Sequence, residues 1–453
     1  MTKCNQESFA FAAHFSRRVV AQFEGGRISS DGGALLLRQV DRKLGLLRRL
    51  AACFRDGRDP TRVEHRLPEM LAQRIFGLAL GYEDLNDHEQ LRCDPLLALL
   101  AEKRALEEPL AGKSTLNRME LTPAETSTGH RYHKITYSAE LLDGLLVDMF
   151  VEAHAQPPEE IVLDLDVTDT PLHGQQEARF FHGYYGEYCY LPLYIFCGEH
   201  LLCARQRASN QDASAGARTE VERIVTQIRR RWPLVKIALR ADSGFCREEL
   251  MAWCEAHQVD YVFGLARNER LEAEIRAAMA EAKGEHERTL QAARIFCQFS
   301  YRTRTSWSQA RRVVAKAEYL AKGENPRFVV TSLGAELWPA RELYERLYCA
   351  RGEMENRIKE QFSLFADRMS TESLRANQLR LYFSSFAYVL MHALRRLALA
   401  GTEWARAQVS TIRLRLLKIA AEVRVSARRI WIRYPRAYPW KARFEAAWSA
   451  LRC

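Results

Sequence analysis

Short apolar runs recur through the middle of the chain, while apolar residues at helical spacing dominate its first third. Ile161-Val162-Leu163-Asp164-Leu165-Asp166-Val167-Thr168 predicts a packed strand, because aliphatic and β-branched side chains in so short a run suit a pleated, buried surface. Cys189 to Phe196 and Leu201 to Arg205 predict two more strands, Arg218 to Trp232 a helix, and Val235 to Ala241 a strand running into Asp242-Ser243-Gly244. Farther on, Val259 to Leu265 reads as a strand and Leu271 to Ala282 as a helix. Ala293 to Tyr301, Arg311 to Tyr319 and Arg327 to Leu333 read as three further strands. Up to about Gln156 the pattern is mainly helical, as in Gly33 to Leu37, Glu69 to Leu80 and Ala139 to Ala153. Pro157-Pro158 marks the passage from this region into the strand-rich part.

The first of these strands carries two carboxylates. Side chains alternate across a strand, so Asp164 and Asp166 share a side. A buried carboxylate is costly unless a metal or a cation compensates it. The run alone leaves two readings: aspartates that cap the next turn, or carboxylates kept for chemistry. Asp242 stands where a strand gives way to a turn, a place where ligands gather in α/β sheets, and where an Asp also serves as cap of the helix Arg247 to His257. A third acidic element, Tyr348-Cys349-Ala350-Arg351-Gly352-Glu353-Met354-Glu355-Asn356-Arg357-Ile358-Lys359-Glu360, predicts a helix. On an even α-helix Tyr348, Arg351, Glu355 and Lys359 share one face, with Arg351 and Lys359 about a turn either side of Glu355. A solvated ladder of charges is the plainer account of such a helix, and it fits Glu353 and Glu360 best.

Asp-x-Thr on a first strand, Asp after a later strand and Tyr-x2-Arg-x3-Glu on a helix together resemble the DDE transposases of bacterial insertion sequences. The resemblance is to the IS-four-related type and, within it, the IS-thirteen-eighty group. It rests on Leu165 to Gln176, Tyr190 to Leu193, Arg240 to Phe245 and Arg351 to Lys359. It implies Asp166, Asp242 and Glu355 as catalytic and metal-holding residues, with Asp166 preferred to Asp164 because it alone stands in Asp-x-Thr. It implies Mg²⁺ or Mn²⁺, two ions per active site, since converging carboxylates suit hard cations that activate one oxygen and stabilise another. Tyr348 and Arg351 match the Tyr and Arg that accompany the Glu. The family pattern places a Lys seven residues after that Glu; Phe362 stands there, and Lys359 is the candidate to contact DNA in its stead.

The implied fold is α/β: a ribonuclease H-like catalytic core interrupted by a β-rich insertion, with a mainly helical N-terminal region and a basic helical C-terminal region. The corresponding boundaries are 1–156 for a DNA-binding region, 157–270 for the first part of the core and 271–333 for the insertion. The second part of the core, with the Glu helix, follows at 334–400, and a basic DNA-binding or synapsis region at 401–453. The insertion accounts for the 113 residues between Asp242 and Glu355.

Charge supports a polyanionic partner. The chain of 453 residues carries 67 Lys and Arg against 57 Asp and Glu, net +10. From Arg380 to Cys453 there are fifteen Lys and Arg against three Glu, so this tail holds the excess. Arg428, Arg429 and Arg433 alternate there with Trp431, Tyr434 and Trp440, which suits phosphate contact with aromatic packing, or a solvated basic helix with an aromatic anchor. Trp307, after the basic loop Arg302 to Ser306, is either a plain hairpin aromatic or one that stacks on an extruded base. Lys113, Ser114 and Arg118 are read as backbone contacts to DNA, because Gly112-Lys113-Ser114-Thr115 lacks the rest of a phosphate-binding loop. The eleven cysteines form no Cys-x-x-Cys, and His130 with His133 makes too small a set for a metal.

The longest apolar stretch, Phe383 to Leu394, is short for a bilayer, and Met1 to Ala13 does not read as a secretory leader. The expected setting is therefore the bacterial cytoplasm and nucleoid, without membrane. The expected partner is double-stranded DNA, both element ends and target, bound by a dimer. Other functions compatible with these residues are a sequence-specific DNA-binding protein with a degenerate nuclease core, and a ribonuclease H-like nuclease that does not transpose.

Overall fold

The computed structural model describes residues 8–124 and 132–452. The chain divides into two compact units. The larger comprises 52–57 and 118–392; the smaller comprises 1–51, 58–117 and 393–453.

The larger unit is built on a nine-stranded mixed sheet. Its strands are β1 (Glu160–Val167), β2 (Leu193–Cys197), β3 (His200–Arg205), β4 (Lys236–Ala241), β5 (Asp260–Leu265), β6 (Ala293–Tyr301), β7 (Arg311–Leu320) and β8 (Arg327–Thr331). Their order is β3-β2-β1-β4-β5-β8-β7-β6, with the two-residue strand Gly323–Glu324 beside β7. β1, β4 and β5 are parallel neighbours; all other neighbours are antiparallel. Ile161, Leu163 and Leu165 of β1 join Ile237 and Leu239 of β4 in one buried cluster under the helices α1 (Ala217–Arg231) and α2 (Glu248–Ala256). The alternation of the strand therefore sends Asp164 and Asp166 to the opposite face. On that face Val262, Val314 and Val329 pack against Leu343, Tyr344 and Leu347.

The stretch expected as one strand from Cys189 to Phe196 is two strands, Glu187–Tyr190 and β2, parted at Leu191-Pro192. Proline has no amide hydrogen for the ladder. The helix expected over Leu271 to Ala282 is broken into Glu269–Glu274 and Arg276–Thr289. The strands expected between Ala293 and Leu333 form, and they extend the core sheet through β5–β8 pairing. Phe383 to Leu394 lies in the helix Leu374–Ala398, and among the described residues no helix is long and apolar enough to cross a membrane.

In the smaller unit, two expectations are corrected. Ser8–His14 and Arg17–Gln22 pair as an exposed hairpin inside the region read as helical; the alternating Phe9 and Phe11 follow a period of two, not of a helix. The basic C-terminal stretch contains a hairpin, Ala421–Val425 with Ile430–Arg433, extended by Ile28–Ser29. Val423 and Val425 on one side and Ile430 and Ile432 on the other supply β-branched alternation across a short turn. The helix Leu35–Leu44 packs on Lys441–Arg452, which brings the early and late segments of the unit together. His133 precedes the strand Ile135–Tyr137 and is not helical, and His130 lies outside the described residues.

Gly33 stands where these segments touch: a Cβ there would lie 1.9 Å from the Leu416 carbonyl oxygen and 2.7 Å from the Leu417 Cα. Backbone on both sides must move to admit it. Gly33→Ala is expected to destabilise the smaller unit by about 3 kcal/mol or more, read as a lowered melting midpoint for that unit. A midpoint equal to wild type would show that the contact relaxes freely.

Candidate active site

β1 and β4 run side by side in the same direction, so residues at their carboxyl ends meet. Asp166 is near the end of β1, opposite Tyr194 of β2. Asp242 is the first residue after β4. Its carboxylate accepts the Gly244 amide at 2.8 Å and caps the short turn Ser243–Phe245. The cap thus serves this turn; α2 begins later, with Arg247 at its N-cap.

The third element is not one even helix. Leu343–Tyr348 is wound as a π-helix, Cys349–Arg351 as a 3₁₀ turn, and only Gly352–Phe362 as α3. The wider and tighter turns alter the angular spacing on which a single Tyr348-Arg351-Glu355-Lys359 face depends. Arg351 reaches across to Asp166, Nη1 to Oδ2 at 3.1 Å. Glu355, in the first turn of α3, is exposed and makes no hydrogen bond or ion pair among the described residues. Lys359 is exposed as well.

Electrostatics tie Asp166 to the other two carboxylates. Burial pushes Asp166 up to about 6; Arg351 opposes the rise, while the charges of Asp242 and Glu355 add to it. The three carboxylates offer oxygen donors only, which suits a hard divalent cation. Among the described residues, no three His, Cys, Asp or Glu side chains stand close enough to hold one, and the positive charge against Asp166 is Arg351.

Asp164 has a different place. Arg240, directly opposite on β4, grips it as a fork, Nε to Oδ1 at 2.5 Å and Nη2 to Oδ2 at 2.8 Å. The remaining Nη1 donates to the Leu347 carbonyl at 2.6 Å. All of this is buried. Arg240 thereby joins β1, β4 and the π-helix leading to Arg351 and Glu355. Sequence reasoning missed it, although an Arg amid an apolar strand that lies parallel to an acidic one is a signal of pairing.

Beside Asp242, Ser243, Gly264, Arg267, Arg327 and Tyr348 line a cleft of about 420 Å³. Gly264 makes room for it: a Cβ there would lie 2.6 Å from the Tyr348 hydroxyl and 2.9 Å from the Ser243 amide nitrogen. A glycine inside a strand marks such close approach, and Gly264 in Val262-Phe263-Gly264-Leu265 was a readable signal. Arg267 and Arg327 are exposed cations at this cleft.

Other expected site residues lie elsewhere. Trp307 is 4% exposed and packs edge-on to Tyr301 with Arg311 over its ring, so it is a core residue and its ring is not offered to a base. Arg428, Arg429 and Arg433 belong to the smaller unit, exposed on its hairpin, where Arg433 meets Glu422 at 3.4 Å. Lys113 opens the helix Lys113–Glu120 and donates to Asn86.

Residues 11–453 match the family described as the transposase DDE domain, group 1. The chain belongs to that family and is a DDE transposase, an enzyme of DNA transposition. No curated protein matches it. Among solved structures it is similar to a cryo-EM structure of a piggyBac transposase synaptic complex with hairpin DNA, at TM-score 0.42 and 9% identity, over 87% of this chain and 80% of that one. A likeness of that size carries no argument about the site.

Two expectations follow from the geometry. Arg240→Met strands the Asp164 carboxylate in the sheet and is expected to cost about 3–5 kcal/mol. Asp164→Leu combined with Arg240→Met should recover most of that loss in denaturant melts; a double variant no better than the single one would show that the Leu347 contact dominates. The second concerns Asp166. Its folded value of about 6 lies above the ordinary 3.8. The folded protein therefore keeps a proton that the unfolded chain releases, and the stability this gives is lost as pH rises through about 6. In EDTA, Asp166→Asn should be more stable than wild type at pH 7.5, on the order of 1–3 kcal/mol, with the gain shrinking towards pH 4.5. A gain independent of pH would assign it to something other than this titration.

Proposed function

We propose that this transposase cuts DNA at the terminal inverted repeats of an insertion sequence of the IS-four-related, IS-thirteen-eighty type and joins the freed 3′ hydroxyl to target DNA. The observation that carries the reading is that Asp166 and Asp242 stand at the carboxyl ends of two adjacent parallel strands, with Glu355 near enough for its charge to act on Asp166. Their motif context, Asp-x-Thr and Tyr-x2-Arg-x3-Glu, is intact. The core is read as ribonuclease H-like, since the first Asp lies on the opening strand and the second follows the fourth.

Asp166, Asp242 and Glu355 would hold the divalent ions, Mg²⁺ or Mn²⁺, two per site. When bound, these supply activation of the attacking oxygen and charge stabilisation at the leaving oxygen. The residues of the chain do the rest. Asp242 keeps one oxygen on the Gly244 amide, which fixes its carboxylate plane. Arg351 holds Asp166 through Nη1 and presents the rest of its guanidinium to the DNA phosphate. A planar fork suits a phosphate better than a point charge does. Tyr348, over Gly264 at the cleft, lies beside the same phosphate, and Lys359 farther along α3 holds the strand in place of the lysine that Phe362 replaces. Arg267 and Arg327 extend the cationic path at the cleft, and the basic hairpin with Arg428, Arg429 and Arg433 binds DNA phosphates as well. Synapsis of two ends calls for a dimer on DNA.

Asp166→Ala, Asp242→Ala or Glu355→Ala should each abolish Mg²⁺-dependent cleavage of a plasmid bearing the element ends, while end binding in gel-shift persists. Full cleavage by any of the three would remove that residue from the mechanism. Arg351→Lys keeps the charge and loses the fork, and is expected to slow single-turnover cleavage by about tenfold or more; a wild-type rate would leave Arg351 only its pairing with Asp166.

A further inference from the structure

The strand that carries Asp166 does not pass directly to β2. The chain between them, 168–192, leaves the sheet at the end where Asp166 stands. It forms a small three-stranded lobe from Thr170–Pro171, Phe180–His182 and Glu187–Tyr190, then re-enters as β2 opposite Val167 and Asp166. Its root is fixed. Tyr190 is fully buried and its hydroxyl donates to the Glu177 carbonyl at 2.6 Å, the Glu177 amide donates to the Glu372 carbonyl at 2.7 Å, and the Ser209 hydroxyl donates to the Phe180 carbonyl at 2.9 Å.

Its tip is unlike the rest of the unit. Phe181 is 57% exposed, Tyr184 86% and Tyr188 46%. With Phe180, these make four of the five largely exposed aromatic side chains among the described residues of the larger unit. They are ordered against one another. Phe181 faces Tyr188 across the strands with ring centres 5.5 Å apart, Arg179 lies 3.9 Å above the Tyr188 ring, and Tyr184 meets Tyr185 edge-on at 5.1 Å. The turn between the strands closes on Gly186, at φ +73°, with its amide on the His182 carbonyl at 2.8 Å. Exposing this much aromatic surface is unfavourable unless something covers it.

The occupant can be told from the charges. Asp169 and Glu187 lie together beside the turn, and Tyr185 within that turn is half-buried, its hydroxyl pushed up to about 12 by burial and by the charges of Asp169 and Asp166. The two carboxylates repel phosphate beside them, while the neighbouring surface offers flat π-faces with one cation above. Unstacked nucleobases are planar, uncharged and sequence-tolerant in stacking, which is what such a surface receives. A phosphodiester held at Asp166 has its neighbouring bases within reach of a lobe rooted a few residues farther along the chain.

We propose that the Phe181, Tyr184 and Tyr188 face of this lobe binds one or more unstacked bases of the DNA next to the scissile phosphate. This rests on the reading of Asp166 as part of the DNA-cleaving site. It gives the stacking role considered for Trp307 to residues in a different element. Bases are drawn out of the duplex at the cost of stacking, and the lobe returns part of it.

The test compares two DNA duplexes with the element-end sequence, one fully paired and one with the two terminal pairs mismatched, on the full-length protein. In EDTA, fluorescence anisotropy should show wild type favouring the mismatched duplex by on the order of tenfold. The variant Phe181→Ala with Tyr188→Ala should lose that preference, and Phe181→Tyr with Tyr188→Phe should keep it, with melting midpoints confirming that all three fold. In Mg²⁺, the alanine variant should cleave paired ends on the order of tenfold more slowly than wild type and mismatched ends at close to the wild-type rate. Equal affinity of wild type for the two duplexes, or an alanine variant that keeps the preference, overturns the lobe proposal even if cleavage proceeds. A preference that the alanine variant loses, without any cleavage by wild type, sustains the lobe as a base-binding surface and instead overturns the catalytic reading.

Discussion

A single buried guanidinium holds the larger unit in register. Arg240 spends two nitrogens on Asp164 and the third on the Leu347 carbonyl, so one side chain spans two strands and the segment that leads to α3. Ion pairs in such surroundings are expensive to separate, because either partner alone is a charge without solvent. The consequence is a division of labour between two aspartates on one strand face. Asp164 meets a cation fixed within the sheet. Asp166, two residues on, meets the half-buried Arg351, which comes from a 3₁₀ turn. The same residue type is locked in a buried fork at one position and paired with a half-buried side chain at the next.

The sheet also accounts for the long excursion between Asp242 and Glu355. β6, β7 and β8 do not form a separate body. They continue the sheet beyond β5, and β8 pairs with β5 directly. Val314 and Val329 on these strands pack on Leu343 and Tyr344, so the added strands form the floor on which the π-helix rests. Arg327 at the start of β8 borders the cleft beside Asp242. An insertion by sequence is thus a supporting wall by structure.

Much of this was legible beforehand, for identifiable reasons. The strands β1, β4, β5, β6, β7 and β8 are short aliphatic runs bounded by turns, a signal strong enough to locate them to within a residue or two. The carboxylates stood out because charge in such runs is rare. What the sequence hid was pairing at a distance. Nothing local to Arg240 says that its partner is Asp164, and nothing local to Trp307 says that Tyr301 and Arg311 will enclose it. Spacing also could not reveal that the winding changes twice between Tyr348 and Lys359, from π-helix to 3₁₀ turn to α-helix, a departure that tertiary packing imposes. The hairpin at Ala421–Arg433 was misread as helical because a high density of arginine suits a helix as well as an exposed strand.

The make-up of the smaller unit bears on the order in which the molecule comes into being. Residues 393–453 share that unit with 1–51 and 58–117, and Gly33 fits only against the backbone of Leu416 and Leu417. A chain emerging from the ribosome presents the early segments long before their late partners exist. The larger unit, drawn mostly from 118–392, has its whole sheet available while the last sixty residues are still being added. Translation therefore delivers Asp166, Asp242 and Glu355 before it delivers the segment that completes the smaller unit and its basic hairpin. A messenger cut short before residue 393 would yield a protein with the whole nine-stranded sheet and no finished smaller unit.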